Sequence, residues 1–404
     1  MKLNRYLPFA FIYFFVNSLA LPFGLTYTSL LAPFFYIWIL FTRKKEILLP
    51  FIAILLPFII VHVAITEVEI KPYAISLLNL LLVYIFCQAV YTFLNVCKDT
   101  GEIFKTILVV NFILCLISIP LYFTPWFSIV WDEQILGEGV GELRRLRLFA
   151  YEPSYYALLF TPFFFYFLLQ YLFKQNVING RLLLLMLFLP YGLSFSIGVI
   201  GAVFMALFIT WMIHFRKLTA RPRILNAIIS GGVLFVSSMI ALILFFRQNA
   251  LFTRVRNILN GEDSSGKGRT VDAFLLAEKM LQEKSKYWGI GLGQIKIVGY
   301  NIIRNYYHYN MDITATIPSA AAETLAIFGW IGFILRITIE IFLFCYTKVW
   351  TNYYRLLLFF FIFIYQFTGS FITNAGEYVI WILAFTNIFH QFDVKRKTQN
   401  HLLH

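Results

Sequence analysis

Charge is what this chain has least of: 13% of its residues are charged and 60% are hydrophobic, with a mean hydropathy of +0.77. A soluble fold of 404 residues could not hide that much apolar surface in one core. Acidic residues are scarcer than basic ones, 20 against 33, which leaves a formal charge of +13. In a soluble protein that balance would suggest nucleic acid. Here the basic residues fall mainly in short segments between hydrophobic runs, as the orientation rule for cytoplasmic loops expects, so nucleic acid is not a partner on this reading. Cysteine is limited to Cys87, Cys97, Cys115 and Cys345, all in or at the ends of hydrophobic runs, so there is no disulfide or metal framework to read. The first apolar run lacks a small-residue cleavage pattern and reads as a retained helix. Heptads, fixed-period repeats and low-complexity tracts are missing too, beyond a general excess of Phe, Leu and Ile.

What remains is long uncharged stretches: Tyr6 to Thr42, Ile47 to Thr66, Pro72 to Cys97, Leu182 to Phe215 and Ile224 to Phe246. Each is long enough for one or two crossings of about 20 residues. The pattern predicts an all-α, polytopic membrane helix bundle, one integral membrane domain over 1–404. About twelve spans are expected, near 6–23, 25–42, 47–66, 73–96, 106–126, 154–173, 182–196, 198–215, 224–246, 318–345, 355–372 and 376–391. The 182–215 run is too long for one crossing, and Pro190, Gly192, Ser194, Ser196 and Gly198 supply a break, so a short hairpin is expected. With both termini in the cytoplasm, every inside segment carries basic residues, from Lys2 and Arg5 through Arg43, Lys44 and Lys45 to Lys395, Arg396 and Lys397. Two outside segments exceed mere turns: 127–153, and the large loop 247–317.

Both outside segments carry arginine: Arg144, Arg145 and Arg147 in the first, and Arg247, Arg254, Arg256, Arg269 and Arg304 in the second. Two readings stay open. Long loops cross regardless of charge and these residues touch lipid headgroups, or guanidinium forks bind phosphate or pyrophosphate at the membrane surface. Glu152, ahead of Pro153 and Ser154, is either an ordinary helix start or a carboxylate that orients the arginines or acts as a base. After Gly268-Arg269-Thr270, the segment Val271 to Lys286 places Val271, Phe274, Leu275 and Leu281 at helical spacing and reads as an amphipathic helix on the outer membrane surface. Arg269 would stand at its amino end, where free N–H groups also attract an anion. The run Gly289-Ile290-Gly291-Leu292-Gly293 is not the dinucleotide fingerprint and implies only backbone flexibility. His308, in Tyr306-Tyr307-His308-Tyr309, is a packing residue or a catalyst. Glu323, in the first turns of a span entered through Pro318 and Ser319, is a functional candidate because ionisable groups at that depth are costly. Arg336 and Glu340, four residues apart, are expected to pair with each other.

These features together resemble the Wzy-type O-antigen polymerase and O-antigen ligase superfamily of bacterial inner membranes. The resemblance covers the whole topology. It is carried by the arginine-rich stretch running into Glu152-Pro153-Ser154, by Gly268-Arg269 ahead of the glycine run, by Ala322-Glu323-Thr324 through Gly329-Trp330-Ile331-Gly332, and by Thr368-Gly369-Ser370-Phe371-Ile372-Thr373-Asn374. It implies a GT-C-type glycosyltransferase acting on undecaprenyl-pyrophosphate oligosaccharides at the periplasmic face, without nucleotide or metal, alongside a chain-length regulator and a flippase of the same pathway. On this resemblance Arg144, Arg145, Arg147 and Arg269 are candidates for binding pyrophosphate, and Glu152, Glu323 and His308 compete for the base. Ligases of the superfamily carry a His-Asn pair where this chain has Ile317-Pro318-Ser319, which favours the polymerase over the ligase that moves glycan to lipid A. A flippase or transporter is the rival from another class. It would explain the span count but not the large outside loop, and transporters gather ionisable residues near the membrane middle.

Overall fold

The computed structural model describes residues 5–19, 26–43, 46–97, 99–135, 142–175, 178–220, 264–308 and 315–394, with a few isolated positions between 222 and 237. The chain there is mostly helical. In order come α1 (Leu7–Phe11, continued by a π-helical turn, Ile12–Val16), α2 (Tyr27–Arg43), α3 (Leu48–Ala64), α4 (Ile70–Val96) and α5 (Thr100–Leu121). Strands β1 (Trp131–Ile135) and β2 (Glu142–Leu146) follow, then α6 (Pro153–Leu172), α7 (Gly180–Ser194), α8 (Ile197–Ile213) and α9 (Phe215–Thr219). The last group is α10 (Ser264–Arg269), α11 (Val271–Glu283), α12 (Val298–Tyr307), α13 (Ala320–Tyr346), α14 (Tyr353–Tyr365) and α15 (Ala375–Phe385).

Four helices, α4, α5, α6 and α13, are long and apolar enough to cross a membrane, and seven shorter apolar helices fall on other expected spans. The expected span 224–246 lies outside the described residues except for isolated positions. Phe34, Phe41, Leu49 and Phe342 are each at least 60% exposed. A protein dissolved in water does not keep so much aromatic and aliphatic surface on its outside, whereas lipid accepts it.

The bundle is built around α6. Of its most apolar stretch 78% is buried, against 22% for α4, so α6 is the axis and α4 a peripheral helix. Pro153 sits at its first position, where the missing N–H costs nothing, with Glu152 just ahead as the sequence suggested. The break expected within 182–215 lies at Phe195, which is left-handed, and Ser196. At the opposite end Arg355 is 1% exposed and donates to the carbonyls of Thr347, Ala384 and Phe385. It thereby satisfies the carbonyl end of α15, which no further helical turn could reach.

The described residues are mostly but not wholly helical: in the first outside loop β1 and β2 form an antiparallel pair with Asp132 opposite Arg145 and Glu133 opposite Arg144. It is anchored by Trp131, whose indole N–H donates to Ser118 O at 2.8 Å. Nor is 318–345 a single rod. Gly329 has φ 65 and ψ −167 and breaks α13. Arg336 Nη1 lies 2.9 Å from Thr324 Oγ1 and 3.5 Å from Ala320 O. In a straight helix residues 16 apart would be separated by about 24 Å, so the chain doubles back at Gly329.

The backbone groups freed at this break are taken up by the segment after α11. Ile290 N and Gly291 N donate to Ala326 O and Ile327 O, while Trp330 N and Ile331 N donate to Lys286 O and Tyr287 O. A Cβ on Gly329 would lie 2.2 Å from Tyr287 O, and one on Gly289 would lie 2.3 Å from Ile327 O. The glycine run is therefore a docking device between two backbones. Around it α11, the glycine run, the first arm of α13 and the α3–α4 turn share a second core that includes Val68, Leu276, Met280, Ile290 and Leu325. The turn is stitched on by Gln294, bonded to Glu69 N and O at 3.1 Å each, and by Lys284 Nζ to Thr66 O at 2.8 Å.

Replacing Gly329 by alanine combines a left-handed φ with a backbone clash and is expected to cost at least about 1–3 kcal/mol. Gly192→Ala, with nothing within 4 Å of the added carbon, is the neutral control. Thermal unfolding of the purified protein in detergent compares the two; equal midpoints would mean that the close approach at Gly329 is not needed.

Candidate functional site

Several helix ends meet at one end of the bundle. The starts of α6, α13 and α15 bring Glu152, Glu323 and Glu377, and the end of α14 brings Tyr365. Glu152 precedes α6 with extended backbone, and its carboxylate caps no backbone N–H. It accepts instead from Ser154 Oγ at 2.6 Å and lies within electrostatic range of the Tyr151 phenol. Tyr365 lies within electrostatic range of Glu152, Arg269 and Glu377 together. Arg269 comes from a loop more than a hundred residues away in sequence, so the fold brings together the two candidates the sequence could only name separately.

Glu323 lies in the first turn of α13, beneath the Ser319 cap. Its Oε2 accepts from Ile372 N at 2.7 Å, within the 368–374 stretch that carried part of the family resemblance. The carboxylate therefore ties that loop to α13. Below it is an ion cluster. Arg336 Nε donates to Glu340 Oε1 at 3.1 Å, as their spacing predicts, and to Gln366 Oε1 at 2.8 Å, while Arg336 Nη2 bonds Glu377 Oε1. Gln366 Nε2 closes the ring on Glu340 Oε2 at 2.8 Å. Glu377 is fully buried, and its Oε2 has no hydrogen-bond partner among the described residues. Sequence reading missed Glu377 and Gln366. The rule that singled out Glu323, an ionisable group inside an apolar run, applied equally to Glu377.

The first-loop arginines are engaged within their own hairpin. Arg144 Nε bonds Glu133 Oε1 at 2.8 Å, its Nη1 bonds Tyr122 O at 3.0 Å, and its guanidinium lies 3.7 Å from the centre of the Phe127 ring. Arg145 Nη2 is 3.7 Å from Asp132 Oδ2. Arg147 closes the loop onto α6, donating to Ala150 O at 3.0 Å and Ser128 O at 2.8 Å. These three guanidiniums have acidic or carbonyl partners, while Arg147 Nε is buried with no partner among the described residues.

Arg269 ends α10, which runs into α11 through Thr270, whose N and Oγ1 both donate to Gly266 O. Arg269 thus directly precedes Thr270, the N-cap of α11, the place the sequence suggested. Helix α11 is amphipathic, as its spacing predicts. Ala273, Leu276, Ala277, Met280 and Leu281 face the second core, while Val271 and Leu275 stay exposed. That outward face, with Phe274, Leu325, Trp330 and Phe367, walls an open, mainly apolar groove of about 470 Å³ that begins at Thr270 and is also lined by Glu278. Asp272 accepts from the phenols of Tyr306 at 3.0 Å and Tyr307 at 3.2 Å. Accepting that bond, it raises the Tyr306 phenol above its ordinary range, so the phenol remains a donor at neutral pH. His308, next in sequence, is exposed at the left-handed end of α12 and joins neither carboxylate nor Arg269 among the described residues.

Among the described residues no group of three or more His, Cys, Asp or Glu could hold a metal ion. No known protein family and no curated protein matches the chain.

Removing one partner of a buried ion cluster leaves the others uncompensated, typically at about 3–5 kcal/mol. Arg336→Met is therefore expected to lose that much stability, read as a lowered unfolding midpoint in detergent. An unchanged midpoint would show that the cluster does not hold the two arms of α13 together.

Proposed function

We propose that this chain is a membrane glycosyltransferase that joins saccharide repeat units carried on polyprenyl pyrophosphate, a polysaccharide polymerase of the O-antigen type acting on the noncytoplasmic face of a bacterial plasma membrane. One juxtaposition carries the reading: the Glu152 carboxylate and the Arg269 guanidinium, from elements far apart in sequence, lie in electrostatic range of the same Tyr365. The apolar groove beginning at Thr270, next to Arg269, supports it, since a lipid-linked sugar needs an apolar channel beside a cation. A twelve-span, GT-C-like topology with inside termini belongs to the same proposal.

The donor brings its own leaving group, so the protein must orient it, stabilise departing charge and remove one proton. An acceptor sugar hydroxyl attacks the anomeric carbon of the donor. The bond from that carbon to the pyrophosphate oxygen breaks, the hydroxyl proton passes to Glu152, and the lipid pyrophosphate leaves as an anion against Arg269. Glu323 is a positioning residue in this scheme, because its carboxylate already holds Ile372 N.

Deletion of the gene should leave surface glycan with a single repeat unit on a gel. Loss of all glycan with accumulated lipid-linked polymer would instead indicate a ligase, and repeat units trapped inside would indicate a flippase. Arg269→Ala and Glu152→Gln should abolish the ladder at normal protein levels, the latter by about 10²–10⁴-fold in rate as expected for loss of a general base. Glu323→Gln keeps an oxygen that can accept from Ile372 N and should retain chain growth. Full ladders from Glu152→Gln, or none from Glu323→Gln at normal protein levels, would reverse the two roles.

A further inference from the structure

Beside the start of α6 is a second cavity, of about 230 Å³, lined by the starts of α2 and α15 and by the middle of α4. It is far larger than one water needs and smaller than the roughly 300–1,000 Å³ of sites for drug-sized ligands. Its lining combines uncharged polar groups, the hydroxyls of Ser18, Thr26, Ser29 and Thr373, the phenols of Tyr151 and Tyr155 and the carboxamides of Asn79 and Asn374, with the apolar side chains of Val83, Phe371 and Ala375. Among the described residues no lysine, arginine, aspartate or glutamate contributes to it. A phosphate or carboxylate would enter without a counter-charge, which a half-buried site does not tolerate.

Several of these polar groups are already committed. Ser18 Oγ accepts from Tyr151 N at 3.0 Å, the Tyr155 phenol accepts from Asn17 at 2.9 Å, Thr26 pairs with Ser29 at 2.9 Å, and Asn374 caps α15. The Asn79 carboxamide and the Thr373 hydroxyl make no hydrogen bond among the described residues, though both are half-buried on the wall. Asn79 offers two donors and an acceptor, and Thr373 offers one donor and two acceptor lone pairs. On another side stand aromatic rings: Tyr151 and Tyr155 are 4.7 Å apart, and Tyr151 and Phe371 are 6.3 Å apart. Tyr151 immediately precedes Glu152 and lies within its electrostatic range, so a ligand against that ring sits close to the carboxylate.

We infer that this cavity is a binding site for one uncharged sugar ring, with Asn79 and Thr373 reading its hydroxyls and the Tyr151–Phe371 wall taking its C–H face. Only a polyol combines neutrality, many hydroxyls at short spacing and one apolar face in this volume. The inference rests on the glycosyltransferase reading for the ring's part in catalysis, where it is the acceptor unit, with a hydroxyl toward Glu152. The binding itself can be measured without that reading.

The test uses the full chain in lipid nanodiscs free of sugar-based detergent, probed by saturation-transfer NMR. The probes are glucose, galactose, rhamnose and N-acetylglucosamine, with glucuronate and glycerol for comparison. At least one neutral sugar should bind saturably and better than glycerol or glucuronate. Asn79→Leu and Thr373→Val should each weaken it by tenfold or more while unfolding at the wild-type temperature. No neutral sugar exceeding glycerol, glucuronate binding as well, or unaltered binding in both folded variants would overturn the inference. The glycan gel separates the two readings. Neutral-sugar binding lost in the variants, with no effect of gene deletion on surface glycan, keeps the cavity and ends the polymerase reading. A ladder that depends on the gene, with binding unaffected by Asn79→Leu and Thr373→Val, does the reverse.

Discussion

At Gly289 and Gly329 two backbones approach until a Cβ on either would lie 2.6 Å from the other's amide nitrogen. Much of the candidate site depends on that contact. It breaks α13 and supplies partners for the N–H and C=O groups the break exposes, which apolar surroundings would otherwise make expensive. Doubling back brings Arg336 against Thr324 and Ala320, so the ion cluster forms within one element folded on itself and reaches α15 through Glu377. It also holds the segment after α11 on the bundle, and with it the loop that carries Arg269.

A division of labour among charges follows. Charge buried between helices must be paired to be tolerated, and Arg336, Glu340 and Glu377 meet that condition with Gln366 as a neutral bridge. The hairpin arginines meet it with acids, carbonyls and a ring. Glu152 differs: it accepts from the Ser154 hydroxyl, which donates to a carboxylate without cancelling its charge. Proximity to Arg269, an uncharged, partly polar cavity on one side and a mainly apolar groove beyond the arginine make this corner the chemically open part of the molecule.

The amino-acid sequence by itself determined that the chain is helical and apolar enough for a membrane, since composition and uncharged run length decide which solvent a helix can face. It located the helix start at Pro153, the break near Phe195, the Arg336 and Glu340 pair and the candidacy of Glu152, Glu323 and Arg269, because each depends on neighbours within a turn or two. Tertiary structure alone decided the rest. Run length could not distinguish a 27-residue rod at 320–346 from two arms folded at Gly329, because the difference lies in which distant backbone accepts the freed hydrogen bonds. Arginine count likewise could not separate Arg144, Arg145 and Arg147 from Arg269. A guanidinium's availability depends on its three-dimensional neighbours, and for these residues the neighbours come from another strand, another loop and another helix.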